Sequence, residues 1–278
     1  MLSGEPSRTA LGAARLRAAH QVLERGRIFS DPLAVRILGP DAAPLAPEAD
    51  DTDARRRLRL FVAARARFAE DALATMVSEG PCQLVVLGAG LDTYAYRSPF
   101  ADRLPVFEVD HPETQAWKRQ RLAEAAIPIP ETLTFAPVDF ERGTLAAGLA
   151  AVGFDATRRT FFAWLGVVPY LTEPAVLATL GFVASLAGGA RVVFDYTAAA
   201  TKEGESRVAH EALAARVAAA GEPFESDFEP EPLGVVLRAF GFRALEDVSG
   251  ADLVARYLPG RARSGRPSTA HVMNAAKD

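Results

Sequence analysis

The chain has 278 residues, 49% of them hydrophobic and 24% charged, with a formal net charge of −4. Such a composition suits a globular fold with a sizeable core; no basic stripe matches a nucleic-acid backbone, and no run approaches the ~20 apolar residues of a membrane span. Cys82 is the only cysteine, which excludes an intrachain disulfide and fits a reducing, cytoplasmic setting.

The opening stretch, MLSGEPSRTALGAARLRAAH, is interrupted by arginines and has no apolar h-region, so it is not read as a signal peptide. Leu11, Ala14, Leu16, Ala18, Ala19, Val22 and Leu23 form a helical apolar stripe that Gly26 punctuates. Asp31-Pro32 predicts an N-cap followed by proline at the first helical position. Residues 40–52 read as a loop. A long helix is predicted from Asp53 to about Ser78, with Leu58, Phe61, Val62, Phe68, Leu73 and Val77 on its apolar side, ended by Gly80-Pro81. Its start carries a basic knot, Arg55-Arg56-Arg57 with Arg59, beside Asp50, Asp51 and Asp53; this reads as a solvated, self-compensating helix start.

The period then changes. Gln83–Leu87 is short and nearly all apolar, as a strand buried on both faces should be. Comparable runs recur at Val106–Val109, Leu133–Val138, Thr160–Val168 and Ala190–Tyr196, with helical patterns at Glu113–Ala126, Leu145–Ala151 and Glu173–Leu186 between them. Helices near Ala209–Ala220 and Leu233–Phe240 and strands near Arg243–Val248 and His271–Ala275 follow. Alternating strands and helices imply an α/β fold with a doubly wound, mainly parallel, seven-stranded sheet.

The chemistry concentrates where the first strands end. Gly88-Ala89-Gly90 follows the first core strand, where glycine permits a sharp turn and lets a ligand approach the backbone. The next strand, Phe107-Glu108-Val109-Asp110, ends in a carboxylate twenty positions after Gly90, the type of group that accepts ribose hydroxyls in nucleotide-binding sheets. A dinucleotide site wants a third glycine where Thr93 stands, and Asp92 beside the helix start disfavours a diphosphate while tolerating a sulfonium and an amino group. The pattern therefore points to S-adenosylmethionine, with a nicotinamide dinucleotide as the alternative. Asp139 and Phe140, closing the third strand, suit the amino group and ring face of adenine, or a plain helix cap. Trp164, Tyr170 and Tyr196 lie at the carboxyl ends of the fourth and fifth strands, either lining an acceptor pocket or filling the core. His20, His111, His210 and His271 show no metal spacing, and no metal site is expected.

Gly88-Ala89-Gly90-Leu91-Asp92-Thr93, Tyr96-Arg97, Glu108-Val109-Asp110-His111-Pro112 and Val138-Asp139-Phe140 together resemble the leucine carboxyl methyltransferase family. The likeness is to its bacterial branch of S-adenosylmethionine-dependent O-methyltransferases, and extends to Ile28–Leu33 and Trp164–Thr172. The resemblance implies a class I methyltransferase (Rossmann-like) fold, with residues 1–80 as an N-terminal helical cap over a domain of residues 81–278. It also implies that Arg65, with Arg67 as the alternative register, binds the cofactor's carboxylate. Gly88, Ala89, Gly90, Asp110 and the His111 backbone would then face the nucleoside side, with Asp139 and Phe140 at adenine. Relatives that methylate protein C-termini carry glutamate roughly where Leu165 falls, which argues against a protein substrate. No residue stands out in the sequence as a general base, so the expected acceptor is the carboxylate or acidic hydroxyl of a small molecule, with S-adenosylhomocysteine as product. A nicotinamide-dependent oxidoreductase and a non-catalytic S-adenosylmethionine-binding protein are the competing readings.

Overall fold

The sheet begins where the sequence period changes. In a computed structural model, which describes residues 8–42, 52–139, 143–198, 215, 224–259 and 269–278, β1 spans Gln83–Leu87 and is buried at every position. Leu84 and Val86 face one side of the sheet, Val85 and Leu87 the other. The further strands are β2 (Val106–Asp110), β3 (Leu133–Pro137), β4 (Thr160–Trp164), β5 (Ala190–Thr197), β6 (Ala244–Ser249) and β7 (Ala270–Lys277). They form one seven-stranded sheet in the order β3-β2-β1-β4-β5-β7-β6. The first five pair in parallel, and β7 runs antiparallel to both β5 and β6. The order reverses at β1 and β4, and crevices at such switch points, outside the carboxyl ends of the strands, hold ligands in open α/β sheets.

The helices among the described residues are α1 (Arg8–Leu23), α2 (Ala34–Leu38), α3 (Asp53–Ser78), α4 (Tyr94–Arg97), α5 (Pro112–Glu124), α6 (Leu145–Ala151), α7 (Glu173–Ser185), α8 (Pro230–Ala239) and α9 (Gly250–Tyr257). Val176, Leu180 and Val183 of α7 and Leu233 and Leu237 of α8 join Phe162, Val192 and Phe194 in the core on one face. On the other face Phe68, Leu73 and Met76 of α3 and Leu253 of α9 cover Leu84, Val86, Phe161 and Val193. A third apolar cluster joins α1, α2 and α5 through Ala14, Ala18, Ile37, Leu38 and Leu122, and it includes Leu91 of the glycine turn.

Several expectations are corrected. The fourth strand stops at Trp164, not Val168, because Gly166 turns with φ +75° and Val168–Tyr170 closes a 3-10 turn. Asp31 does not cap α2 in the expected register; the helix starts at Ala34 after Leu33, whose amide donates to the Asp31 carboxylate at 3.1 Å. Helix α9 has no counterpart among the expected elements; Ser249 caps it by accepting the Asp252 amide. The helix expected near Ala209–Ala220 lies outside the described residues except at Ala215, which is helical. Of the expected 40–52 loop, residues 43–51 lie outside them, and its start belongs to a 3-10 turn, Gly39–Ala42.

The basic knot also differs from expectation at one position. Arg55 and Arg57 are exposed, but Arg59 is buried, its guanidinium donating to both oxygens of Glu24 at 2.7 Å. His20, wholly buried, faces the same carboxylate through Nδ1 at 3.3 Å and accepts the Ile28 and Phe29 amides at Nε2. Burial raises the Glu24 carboxyl, but His20 and Arg59 outweigh it and hold it at about 2. A depressed carboxylate stabilises the fold fully above its unfolded value near 4.5 and loses that contribution as pH falls toward 2. Acid titration should therefore loosen α1 from α3 between pH 4.5 and 2, and Glu24→Gln should flatten that transition. Hydrogen exchange of the α1 amides measures it; unchanged protection across the window would exclude Glu24 as the clasp.

Candidate functional site

The turn after β1 is shaped by two backbone positions that L side chains rarely adopt. Gly88 has φ +64° and Gly90 φ +43°. A Cβ at Gly88 would lie 2.4 Å from Val167 Cγ2, and one at Gly90 3.0 Å from Ala10 Cβ. Glycine at both is dictated by conformation and by space. The Ala89 amide donates to Val109 O, so the turn follows the end of β2.

Asp110 closes β2 directly beside the turn. Its Oδ2 accepts the Gly90 amide at 2.6 Å and its Oδ1 the His111 amide at 2.7 Å. Burial pushes its carboxyl up, while those two amides pull it down. Each oxygen has one donor from the backbone, and a carboxylate offers about four acceptor positions, so two remain for a vicinal diol. His111 itself is the N-cap of α5, its Nδ1 accepting the Glu113 amide. Asp139 follows β3, partly buried, at the same sheet edge; Phe140 lies outside the described residues.

Behind Asp110 stands a buried ion pair. Glu108 and Lys118 meet at 2.7 Å with side chains 1% and 2% exposed. The contact is ionic, without the alignment of a good hydrogen bond, and Glu108 Oε1 and the Thr114 hydroxyl have no hydrogen-bond partner. Tyr96 donates its hydroxyl to Glu108 Oε2 at 3.2 Å, and its ring lies beneath the Lys118 ammonium.

The arginine expected at the cofactor's carboxylate is paired within the chain. Arg65, on α3, pairs with Asp195 at 2.5 Å, both side chains largely buried. The other Asp195 oxygen accepts the Gly166 amide at 2.6 Å, and a Cβ on Gly166 would press against the Arg65 guanidinium at 2.7 Å. Arg65 thus reaches the carboxyl ends of β4 and β5. Arg67 points away, pairing with Asp71 in an exposed contact. The cleft between α3 and the sheet beside Arg65 is walled by Ala66, Ala69, Leu73 and Leu165, with Asp92 and Glu70 also lining it.

Thr93 is not a ligand-facing group. Its buried hydroxyl donates to Asp31 at 2.7 Å and accepts Arg97 Nε at 3.1 Å. Asp31 also faces Arg17, which donates to Leu91 O at 2.5 Å, while Arg97 is bidentate to Glu70. This network ties the glycine turn to α1 and α3. A different feature separates the turn from a dinucleotide site: it opens into the four-residue α4, without the long helix whose N-terminus receives a pyrophosphate.

The aromatic residues divide. Trp164 and Tyr196 are core side chains, each 2% exposed, with Trp164 packed 6.1 Å from Phe194. Tyr170 is half-buried against Phe224 at 5.5 Å. Among the described residues no group of three or more His, Cys, Asp or Glu side chains could hold a metal, and no helix is long and apolar enough to cross a membrane.

The sequence patterns missed the pairing of Asp31 with Thr93, Arg17 and Arg97, the Glu108–Lys118 pair and the contact of His271 with Asp247. Each joins residues from different elements, and no local spacing marks them.

Residues 10–184 match the leucine carboxyl methyltransferase family. A Bacillus subtilis protein, YktD, is 35% identical over 77% of this chain and 71% of its own length. A Mycobacterium avium protein is 30% identical over 95% of this chain and 92% of its own. Both are named "Putative S-adenosyl-L-methionine-dependent methyltransferase". Among solved structures, a Nostoc punctiforme protein named "putative O-methyltransferase" superposes with a TM-score of 0.50 at 12% identity, over 96% of this chain and 73% of its own, a likeness of fold.

Proposed function

The chain belongs to the leucine carboxyl methyltransferase family and is an S-adenosylmethionine-dependent methyltransferase, and from that premise we propose that it methylates an oxygen, the carboxylate or acidic hydroxyl, of a small molecule. The observation that carries the cofactor half of this reading is the Gly88–Gly90 turn held by Asp110, a tight turn that positive φ and packing against Val167 and Ala10 restrict to glycine, with a carboxylate beside it. The bound cofactor supplies an electrophilic methyl group on a sulfonium, with a neutral thioether as leaving group.

The chain's own residues bind and orient. Asp110 accepts the ribose hydroxyls through its remaining acceptor positions, with the turn from Gly88 to Gly90 and the His111 backbone alongside. Asp139 and Phe140 take the adenine. Arg65, braced by Asp195, turns its other N–H donors toward the cofactor's carboxylate, a planar fork suited to that group. The described helices before β1 serve as the cap, with Ala10 and Arg17 of α1 against the turn. Alignment of an acceptor oxygen behind the methyl, with water excluded, can supply up to ~7–11 kcal/mol of the barrier reduction. Leu165 lines the α3 cleft roughly where protein-methylating relatives carry glutamate, which supports a small molecule over a protein C-terminus.

Calorimetric titration with S-adenosylmethionine, S-adenosylhomocysteine and NAD should show binding of the first two. Labelled cofactor supplied with a panel of carboxylic acids and phenols should then give a methylated oxygen. Tight cofactor binding with no transfer across the panel would favour a sensor over an enzyme of this class.

A further inference from the structure

Residues distant in sequence converge on the far side of β5. Tyr196 donates its hydroxyl to Asp247 Oδ1 at 3.0 Å, and His271 Nδ1 lies 2.9 Å from Asp247 Oδ2. The Tyr196 and His271 rings are 5.5 Å apart. The three come from β5, β6 and β7, with Tyr196 directly opposite His271 in the antiparallel register. We propose that His271, oriented by Asp247, is the general base that removes the proton of a hydroxyl acceptor, which makes the substrate an aromatic alcohol of the phenol class.

A carboxylate only accepts, so the proton of the neutral His271 ring sits on Nδ1 and is donated to Asp247. That leaves the Nε2 lone pair as the basic site, the arrangement of a base held by a third group. The other described histidines differ. His20 is wholly buried with both ring nitrogens in use, and His111 Nδ1 caps a helix. The His271 side chain keeps 15% exposure. Asp247 and Tyr196 are the ionisable groups facing it among the described residues. Burial, and the Asp247 carboxylate beside it, keep the Tyr196 phenol protonated as a donor.

The placement suits the reaction, and here the inference rests on the proposed function. Asp110 and Asp139 hold the nucleoside on the β2 and β3 side of the switch point. A methyl donor held there would stand at the carboxyl edge of the sheet, where Gly166 follows β4 and where Asp195 of β5 and His271 of β7 also lie, Asp195 toward the α3 face and His271 with Tyr196 toward the α7 face. An aromatic wall runs along that end. The Phe224–Phe228 segment is pinned to Pro169 by the Glu225 amide at 2.8 Å and to Thr197 by the Phe228 amide at 3.0 Å. It brings Phe224 against Tyr170 and Phe228 against Tyr196. In the step, Nε2 takes the hydroxyl proton and the oxygen's electron pair forms the bond to the methyl carbon. The carbon–sulfur bond breaks with its pair left on sulfur, and the imidazolium releases its proton to water.

The test compares wild type, His271→Gln and Asp247→Asn on phenols of graded acidity and on carboxylic acids. General bases contribute about 10²–10⁴-fold, most for the least acidic acceptors. His271→Gln should lose on the order of 100-fold or more in kcat on weakly acidic phenols and little on acceptors already ionised at the assay pH. Its Kd for S-adenosylhomocysteine should stay unchanged. Nitrogen-15 NMR should show the Nδ1–H tautomer of His271 in wild type and its loss in Asp247→Asn. Full phenol methylation by His271→Gln, or an Nε2–H tautomer in wild type, overturns the base. Transfer to carboxylic acids but to no phenol overturns the base while O-methyl transfer stands; transfer to neither class overturns both.

Discussion

Lys118→Met should cost about 3–5 kcal/mol of folding stability, the range for stripping one partner from a buried ion pair. Glu108 has no route to solvent: its side chain is 1% exposed and its Oε1 has no hydrogen-bond partner. Burial already pushes the Glu108 carboxyl up to about 7 against the pull of Lys118 and Tyr96. Without Lys118 that opposition weakens, and the folded state holds the Glu108 proton more tightly still. A carboxyl raised in the folded state destabilises increasingly as pH climbs from its unfolded value near 4.5 through its folded value. The deficit of the variant should therefore be larger at pH 8 than at pH 5.5. Urea denaturation of wild type and variant at both pH values measures it, and Glu108→Leu with Lys118→Met should recover much of the loss because no buried charge remains. A deficit that is equal at the two pH values would show that packing, not the stranded carboxylate, sets the cost.

Asp110→Ala should weaken S-adenosylhomocysteine binding by about 1.5–3 kcal/mol, roughly 10- to 150-fold in Kd, the scale of hydrogen bonds to a charged group. Two effects add in this variant. The ribose loses its acceptor, and the Gly90 and His111 amides lose the carboxylate that fixes the turn. Asp110→Asn separates them, since its single carbonyl oxygen can keep one backbone amide while surrendering the charge. It should fall between wild type and alanine. Wild-type affinity in Asp110→Ala would remove Asp110 from the cofactor site. Because Lys118 acts on the carboxyls of both Glu108 and Asp110, the loss of binding in Asp110→Ala should differ between the wild-type and Lys118→Met backgrounds.

The sequence by itself determined the alternating elements, the strand positions and the glycine turn with its carboxylate. These are local: a strand buried on both faces is nearly all apolar, as Gln83–Leu87 is, and the positive φ of Gly88 and Gly90 favours glycine wherever the chain is placed. Tertiary structure alone decided which groups meet. Arg59 reads as one more solvated arginine until α3 brings it to Glu24. Thr93 reads as a substitution in a cofactor motif until Asp31 claims its hydroxyl. Arg65 is the better match in the sequence, with Arg67 as the alternative register; the helix face toward Asp195 separates them. His271 acquires a carboxylate only when β6 and β7 pair. Hydrogen bonds and ion pairs act over about 3 Å of space whatever the distance along the chain. Periodicity reports which face of an element is buried, and only the packed sheet reports what that face touches.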